Sequence, residues 1–390
     1  MEVKRIEEKE CGESPQTPQA ESKQEELVTT YYDSSLYSRL LDYFRAHVYI
    51  PDNRRHHLLA CYALMCKRYT QFDVLPYLDV KGSTNTGKSQ LIDTMVALFG
   101  SKAITSATAT PAVLFHYIND EEPELVAIDE ADLISKDAIA DTCSILNAGY
   151  QKNRYAPRCE KGENDHYKVK KFKTFCPKMW AGIILKFPRQ TENRAIPIVM
   201  IQAPKYAKIN FHFDHELAER LQKELEDYKQ RHQNDKISKP YKPEEWGSNR
   251  IAKLFFPLFQ VAPTREAEEM LHSLCFELAQ EQAQADASET WQGFIIQTIA
   301  TMIGRQMALE DQGMIKINAP ELLGTIKQNL PNDNQQFKWH MPRLGRELRA
   351  LAFKHEHTRQ GNYWTITQQL FQELLTRYGE QTEAPIPQNL

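Results

Sequence analysis

A chain of 390 residues, with 41% hydrophobic and 26% charged side chains, has room for two or three domains of about 100–200 residues each and is too apolar to be disordered as a whole. No apolar run approaches the roughly 18 residues of a membrane span, and the polar N-terminus lacks an apolar signal core, so a cytoplasmic protein with no membrane partner is expected. Seven cysteines without a C-x-x-C pair argue against a disulfide framework or a zinc ribbon, and a net charge of −4 means that any nucleic-acid binding must come from local basic patches.

Residues 1–27 carry eight acids against four bases, with few apolar side chains, and are expected to be a disordered acidic tail. An N-terminal helical region, 28–74, follows. Leu36, Leu40, Phe44 and Val48 share one helical face, Pro51 ends that helix, and Leu58, Leu59, Tyr62, Met65, Cys66 and Tyr69 mark a second. Arg54, Arg55, His56 and His57 open the second helix and are expected to form a solvated first turn. Residues 75–204 alternate strand-like and helical stretches, the pattern of a parallel α/β sheet.

At the head of that region Gly82, Ser83, Thr84, Asn85, Thr86, Gly87, Lys88 and Ser89 match the P-loop pattern G-x-x-x-x-G-K-[ST], after the apolar strand Tyr77–Val80. Glycines let backbone N–H groups turn inward around phosphate oxygens, a helix starting near Gly87 aims its positive end at them, Lys88 reaches the β- and γ-phosphates, and Ser89 ligates Mg²⁺. Leu125, Val126, Ala127 and Ile128 then run into Asp129 and Glu130. Such a strand places Asp129 beside the loop as a second Mg²⁺ ligand, with Glu130 to polarise the attacking water. One strand and helix separate the two motifs, as in ATPases with an additional strand between them. Asp129 to Asp132 spells a DEAD box, but Ser106-Ala-Thr108 precedes it rather than follows, which excludes the superfamily 2 helicases.

Residues 152–178 hold nine bases against three acids, interleaved with Tyr155, Tyr167 and Phe172. A turn cluster near Gly162 predicts a β-hairpin whose Arg154, Arg158, Lys161, Lys168, Lys170 and Lys171 face DNA. The alternative is an exposed, merely solvated hairpin. Beyond the strand Met179–Leu185, Arg194 precedes the apolar run from Ala195, where it can face a neighbouring subunit's γ-phosphate. Residues 205–309 are expected to be a linker and helical lid carrying Arg250. Residues 310–378 read as helix, helix, hairpin, a winged-helix pattern, with Arg343, Arg346 and Arg359 as DNA contacts or, alternatively, a surface for protein contacts. Residues 379–390 are tail.

These motifs resemble the AAA+-like ATPases of phages, plasmids and genomic islands, often encoded beside or behind a primase, and similar in layout to mini-chromosome-maintenance and superfamily 3 helicases. The matching stretches are the P-loop, Val126–Asp132, Ile145–Tyr150 with Pro157–Cys159, Pro177–Ile183, Thr191–Ile198, and the lid residues Arg250 and Phe256–Leu258. The usual sensor asparagine is absent; Lys186 or Gln190 stands there. The resemblance implies a P-loop NTPase core with a helical lid and a C-terminal winged helix, using ATP and Mg²⁺. It further implies a homo-oligomer, a hexamer, acting on single- or double-stranded DNA as a mobile element's replicative helicase or loader, with primase or other replication proteins as partners. The competing expectation is a nucleotide-switch ATPase that remodels a protein partner, a defence-system ATPase included.

Overall fold

The computed structural model describes residues 18–106, 110–161, 167–183, 187–210, 212–241, 246, 249–289, 291–305, 309–311, 313–330, 338–358 and 361–378. The chain divides into two compact units: Met1–Lys242 with Ala252–Ser273, and Pro243–Ile251 with Leu274–Leu390.

The first unit is built on a parallel sheet of five strands, β1 (Tyr77–Lys81), β2 (Ala103–Ser106), β3 (Leu125–Ile128), β6 (Lys178–Gly182) and β7 (Ala195–Val199), in the order β2-β3-β6-β1-β7. The strands of its centre are buried on both faces, as their unbroken apolar runs require. Tyr77, Val126, Ile128, Trp180 and Ala195 share one core with Leu114, Phe115 and Ile118 of α4 (Pro111–Glu121) and Ile145 and Leu146 of α5 (Lys136–Gly149). α3 (Lys88–Val96) packs on β2, β3 and β6. Thr110 and Ser135 cap α4 and α5 by accepting hydrogen bonds from Val113 and Ala138.

α1 runs from Pro18 to His47, so it begins inside the stretch expected to be tail. It packs with α2 (Arg54–Lys67) and with α7 (His215–His232), which comes from the segment read as linker. The first turn of α2 is not solvated: Arg55, His56 and His57 are buried. Each meets a partner far from it or across the bend. His56 Nε2 donates to Val48 O at 3.0 Å, His57 Nδ1 lies 2.5 Å from the Tyr37 hydroxyl, and Arg55 donates to Pro197 O. Burial pushes both imidazoles below their usual range. An ion network around a buried pair ties α2 to α7: Lys67 Nζ meets the buried Glu124 at 2.6 Å and Glu226, at the surface, at 3.2 Å, and Lys229 Nζ, also at the surface, meets Glu124 at 2.7 Å.

The antiparallel hairpin of β4 (Tyr155–Lys161) and β5 (Tyr167–Lys173) stands between α5 and β6, with Arg158 opposite Lys170 and Ala156 opposite Phe172.

In the second unit, α10 (Trp291–Gly304), β8 (Leu309–Asp311), β9 (Met314–Asn318), α11 (Ala319–Gln328), α12 (Met341–Ala350), β10 (Lys354–Thr358), β11 (Gly361–Thr367) and α13 (Gln368–Tyr378) enclose one core. The sheet order is β10-β11-β9-β8, all antiparallel. Leu344, Leu348 and Leu351 point into this core, and Asn318 caps α11 by accepting from Glu321 N. α8 (Asn249–Val261) and α9 (Arg265–Glu289) each contribute residues to both units. Among the described residues no helix is long and apolar enough to cross a membrane.

Candidate functional site

The loop after β1 is shaped by its two glycines. A Cβ on Gly82 would stand 2.6 Å from both Met200 O and Thr86 Oγ1, so only glycine fits there. Gly87 has φ +86°, a left-handed conformation that suits glycine, and Asn85 is left-handed as well at φ +60°. Thr86 Oγ1 donates to Ser83 O at 2.9 Å. The Lys88 ammonium folds back over the loop, 2.9 Å from Gly82 O and 2.7 Å from Ser83 O. Ser83, Thr84, Asn85, Gly87 and Ser89 are exposed. An anion entering this cradle would give Lys88 a stronger partner than two neutral carbonyls.

Two strands away, Asp129 and Glu130 follow β3 at the same edge of the sheet, because β1, β6 and β3 are parallel and in register. Asp129 Oδ1 accepts from Glu130 N at 2.9 Å, which holds Glu130 in a left-handed turn, φ +51°, with its side chain in solvent. Such a conformation costs about 1–3 kcal/mol in a residue with a Cβ. Asp132 completes the turn by accepting from Ile183 N at 3.4 Å across to the end of β6. Sequence reasoning missed Asp93. It stands one turn after Ser89 on α3, and its carboxyl is raised by burial and by the charge of Asp129, so it faces the same space. The i, i+4 spacing of Ser89 and Asp93 was the signal that could have found it.

A second residue missed is Asp79, in the middle of β1. It is buried beside Lys81, whose Nζ lies 3.0 Å from it and 3.9 Å from Glu192. Burial outweighs the ammonium and lifts the Asp79 carboxyl to about 6.

Arg194 lies at the opposite edge of the sheet. It precedes β7, and its carbonyl accepts from Tyr77 N at 3.0 Å. Its guanidinium stacks on the Tyr150 ring, 5.5 Å from the centroid, with Nη1 buried and without a hydrogen-bond partner. The residues of the Asn147-Ala148-Gly149-Tyr150 stretch prove to be packing residues. Asn147 accepts from Thr191 at 3.2 Å, and a Cβ on Gly149 would meet Thr174 O at 2.1 Å and Lys178 Nζ at 2.5 Å.

The expected DNA contacts divide. Arg154, Lys168, Lys170 and Lys171 are exposed on the hairpin. Arg158 is engaged within the chain: it pairs with Asp141 at 2.7 Å and lies 4.4 Å over the Phe115 ring. Arg343 is likewise engaged within the chain, its guanidinium 5.1 Å from the Trp291 ring and 4.7 Å from the Trp339 ring, which themselves meet edge to face. Arg346 is exposed on α12, and Arg250 is exposed on α8. The side chains of Lys161 and Arg359, the hairpin tip at Gly162, and Lys186 of the two sensor candidates lie outside the described residues; Gln190 is exposed in α6 (Arg189–Glu192).

No family model matches the chain, and no curated protein matches it. Among solved structures it is similar to the apo NrS-1 C-terminal region (305–718), at 12% identity and a TM-score of 0.37 over 86% of this chain and 75% of that one. It is also similar to an inhibitor-bound JCV helicase, at 14% identity and a TM-score of 0.29 over 70% and 65%. Likeness at this level carries nothing about activity.

Proposed function

We propose that the chain is an ATP-hydrolysing, DNA-dependent ATPase of the AAA+-like kind, acting as a ring-forming helicase or helicase loader. The observation that carries this reading is the meeting of two motifs at one edge of one sheet. The glycine loop with Lys88 ends β1, and Asp129 with Glu130 ends β3, in the order β2-β3-β6-β1-β7.

The residues present fit ATP and Mg²⁺. Gly82 and Gly87 leave the cradle open to phosphate oxygens, and Lys88 is poised on carbonyls that phosphate would replace. Ser89 and Asp129 would hold Mg²⁺, which neutralises charge on the β- and γ-phosphates when bound. Lys88 would orient those phosphates. Glu130, free in solvent at the turn, would accept the proton of an attacking water. Arg194 would serve a neighbouring subunit's site. The exposed hairpin bases and Arg346 would meet the DNA backbone. The strand–helix–helix–hairpin order of the second unit supports a winged helix there.

The nucleotide-switch reading has its own support: Arg158 and Arg343, two of the expected DNA contacts, are committed to partners inside the chain. The ATPase rate with and without single-stranded DNA separates the two. Strong stimulation is expected, and an unchanged rate favours the switch. Lys88→Ala should lose ATP binding, whereas Glu130→Gln should bind ATP and turn over at least ~10²-fold more slowly, the usual share of a general base. Equal nucleotide affinity in Lys88→Ala and the native chain would sink the loop assignment.

A further inference from the structure

We propose that α12 is a phosphate-backbone surface for duplex DNA, with Arg343, Arg346 and Arg349 as its contacts and Trp291, Trp339 and Trp364 as positioning residues that hold two of the guanidinium groups in advance. This deepens the DNA side of the proposed function and rests on that reading for the identity of the partner. The surface lies wholly within the second unit.

α12 places an arginine at every third position, 343, 346 and 349, while its Leu344 and Leu348 are buried in the core. Arg346 and Arg349 are exposed, and Arg343 is half-buried at the start of the helix. Two of the three rest on buried rings. The Arg343 guanidinium lies 5.1 Å from the Trp291 ring and 4.7 Å from the Trp339 ring, and that of Arg349 lies 5.7 Å from the Trp364 ring. Gly345 brings the helix close to this last ring, since a Cβ there would stand 3.4 Å from Trp364 Cζ2. An aromatic face attracts a guanidinium through its quadrupole and leaves the N–H donors unspent. Arg343 donates one of them to Lys338 O at 3.4 Å. Among the described residues no carboxylate pairs with any of the three, and the nearby acids are engaged elsewhere. Glu347 accepts from Gln292 at 2.6 Å, and Glu356 accepts from Thr365 at 3.1 Å and lies 3.6 Å from Lys316. Part of the ordering cost of binding is therefore met before a partner arrives.

The spacing selects the partner. Arg343 and Arg349 are about 9 Å apart along the helix axis. One strand of a duplex advances 3.4 Å per phosphate, so roughly three phosphates fall along that length. Steps of three residues fall about 60° short of a full turn, which makes the three arginines a slanting band that a strand crossing the helix can follow. A nucleic-acid strand supplies this row of charges whatever its sequence, whereas a protein would have to present three carboxylates in the same spacing. Lys338 and Lys354, exposed before and after α12 in the chain, extend the same charge.

The test uses the full chain and a short mixed-sequence duplex, with binding followed by anisotropy over a range of salt. Each arginine changed to Ala should lower the salt slope by ~0.9, and the triple variant by roughly 2.7, the duplex value for one phosphate contact each. Trp339→Leu should weaken binding in the native chain and add nothing to Arg343→Ala, whereas Trp339→Phe, which keeps a ring under the guanidinium, should restore affinity. An unchanged slope and affinity in the triple variant overturns the proposal. If that variant does not fold, Arg346→Ala with Arg349→Ala, both exposed, must lower the slope by roughly 1.8, and no fall overturns it equally. Additive losses for Trp339→Leu and Arg343→Ala would remove the positioning role. A triple variant that keeps duplex affinity but loses binding to polyglutamate marks a protein surface, and the proposal falls. Where only this surface is wrong, the native chain still binds DNA and DNA still stimulates its ATPase. A native chain that binds no DNA removes the DNA reading, and this proposal with it.

Discussion

Asp79 carries an unusual charge balance for a residue in an inner strand of a core. Its carboxyl is raised from 3.8 to about 6, because burial disfavours the anion more than the Lys81 ammonium favours it. The native state thus binds this proton more tightly than the unfolded chain does. Between pH 3.8 and about 6 the unfolded state carries fewer protons at this site, so Asp79's contribution to stability falls as pH rises through that window. At neutral pH the full penalty is present, on the order of 3 kcal/mol for a shift of about two pH units. Asp79→Asn should therefore stabilise the fold at pH 7.5 relative to pH 4.5. A denaturant titration at both pH values checks this, and a variant equally destabilised at both would refute it. Lys81 is partly exposed and keeps Glu192 nearby, so it is not stranded by the change. Asp79 was invisible in the sequence, where it reads as an interruption of the strand Tyr77–Val80. The tight backbone turns at Gly82 and Gly87 and the turn that begins at Asp129 were legible because their backbone chemistry is local. Arg55, His56 and His57 misled because their partners, Pro197, Val48 and Tyr37, are supplied by the fold.

The hairpin shows what alternation reveals and what it conceals. Period-2 spacing puts Lys168 and Lys170 on one face, which they share with Arg158, Ala156 and Phe172. At its base this face turns inward: Ala156 and Phe172 are buried, Phe172 packs 5.5 Å from the Phe115 ring, and Lys170 lies 4.7 Å over Phe172. The opposite face carries Lys171 and Lys173 with exposed Tyr155, Cys159 and Val169. Both faces read alike in the sequence, since lysines alternate with apolar residues on each, and only the packing of α4 distinguishes them. If the hairpin grips DNA, Lys168→Ala with Lys170→Ala and Lys171→Ala with Lys173→Ala should not be equivalent. The single-strand salt slope falls by ~0.7 for every phosphate that is no longer neutralised. The larger drop is expected for Lys171 and Lys173, because they share the open face with Tyr155. Basal ATPase should survive in both variants. Unchanged affinity and salt slope in both pairs would remove the hairpin from the DNA path. A larger drop for Lys168 and Lys170 would place the DNA toward the tip, on the inner face.

At the scale of the molecule, the sheet itself dictates whether Arg194 can act alone. Arg194 precedes β7, and Val199 at the other end of that strand pairs with Lys81, next to the glycine loop. The guanidinium's backbone and the loop are therefore separated by a strand of five residues, roughly 16 Å. An arginine side chain tucked onto Tyr150 does not span that distance within its own subunit. Any catalytic role for Arg194 must be played on another copy of the chain, and it requires the side chain to leave Tyr150. The buried Nη1 without a partner makes that departure less costly than for a fully paired guanidinium. Arg194→Ala should then reduce turnover by at least ~10³ and leave nucleotide affinity intact, as expected of an arginine that stabilises only the transition state. Mixing Arg194→Ala with Glu130→Gln chains should recover some activity, since an interface can form with a native Glu130 on one side and a native Arg194 on the other. Sedimentation with an ATP analogue and DNA should show assembly under the same conditions. A chain that remains monomeric there while hydrolysing ATP at full rate would rule the trans role out, and Arg194 would then be a packing residue held by Tyr150.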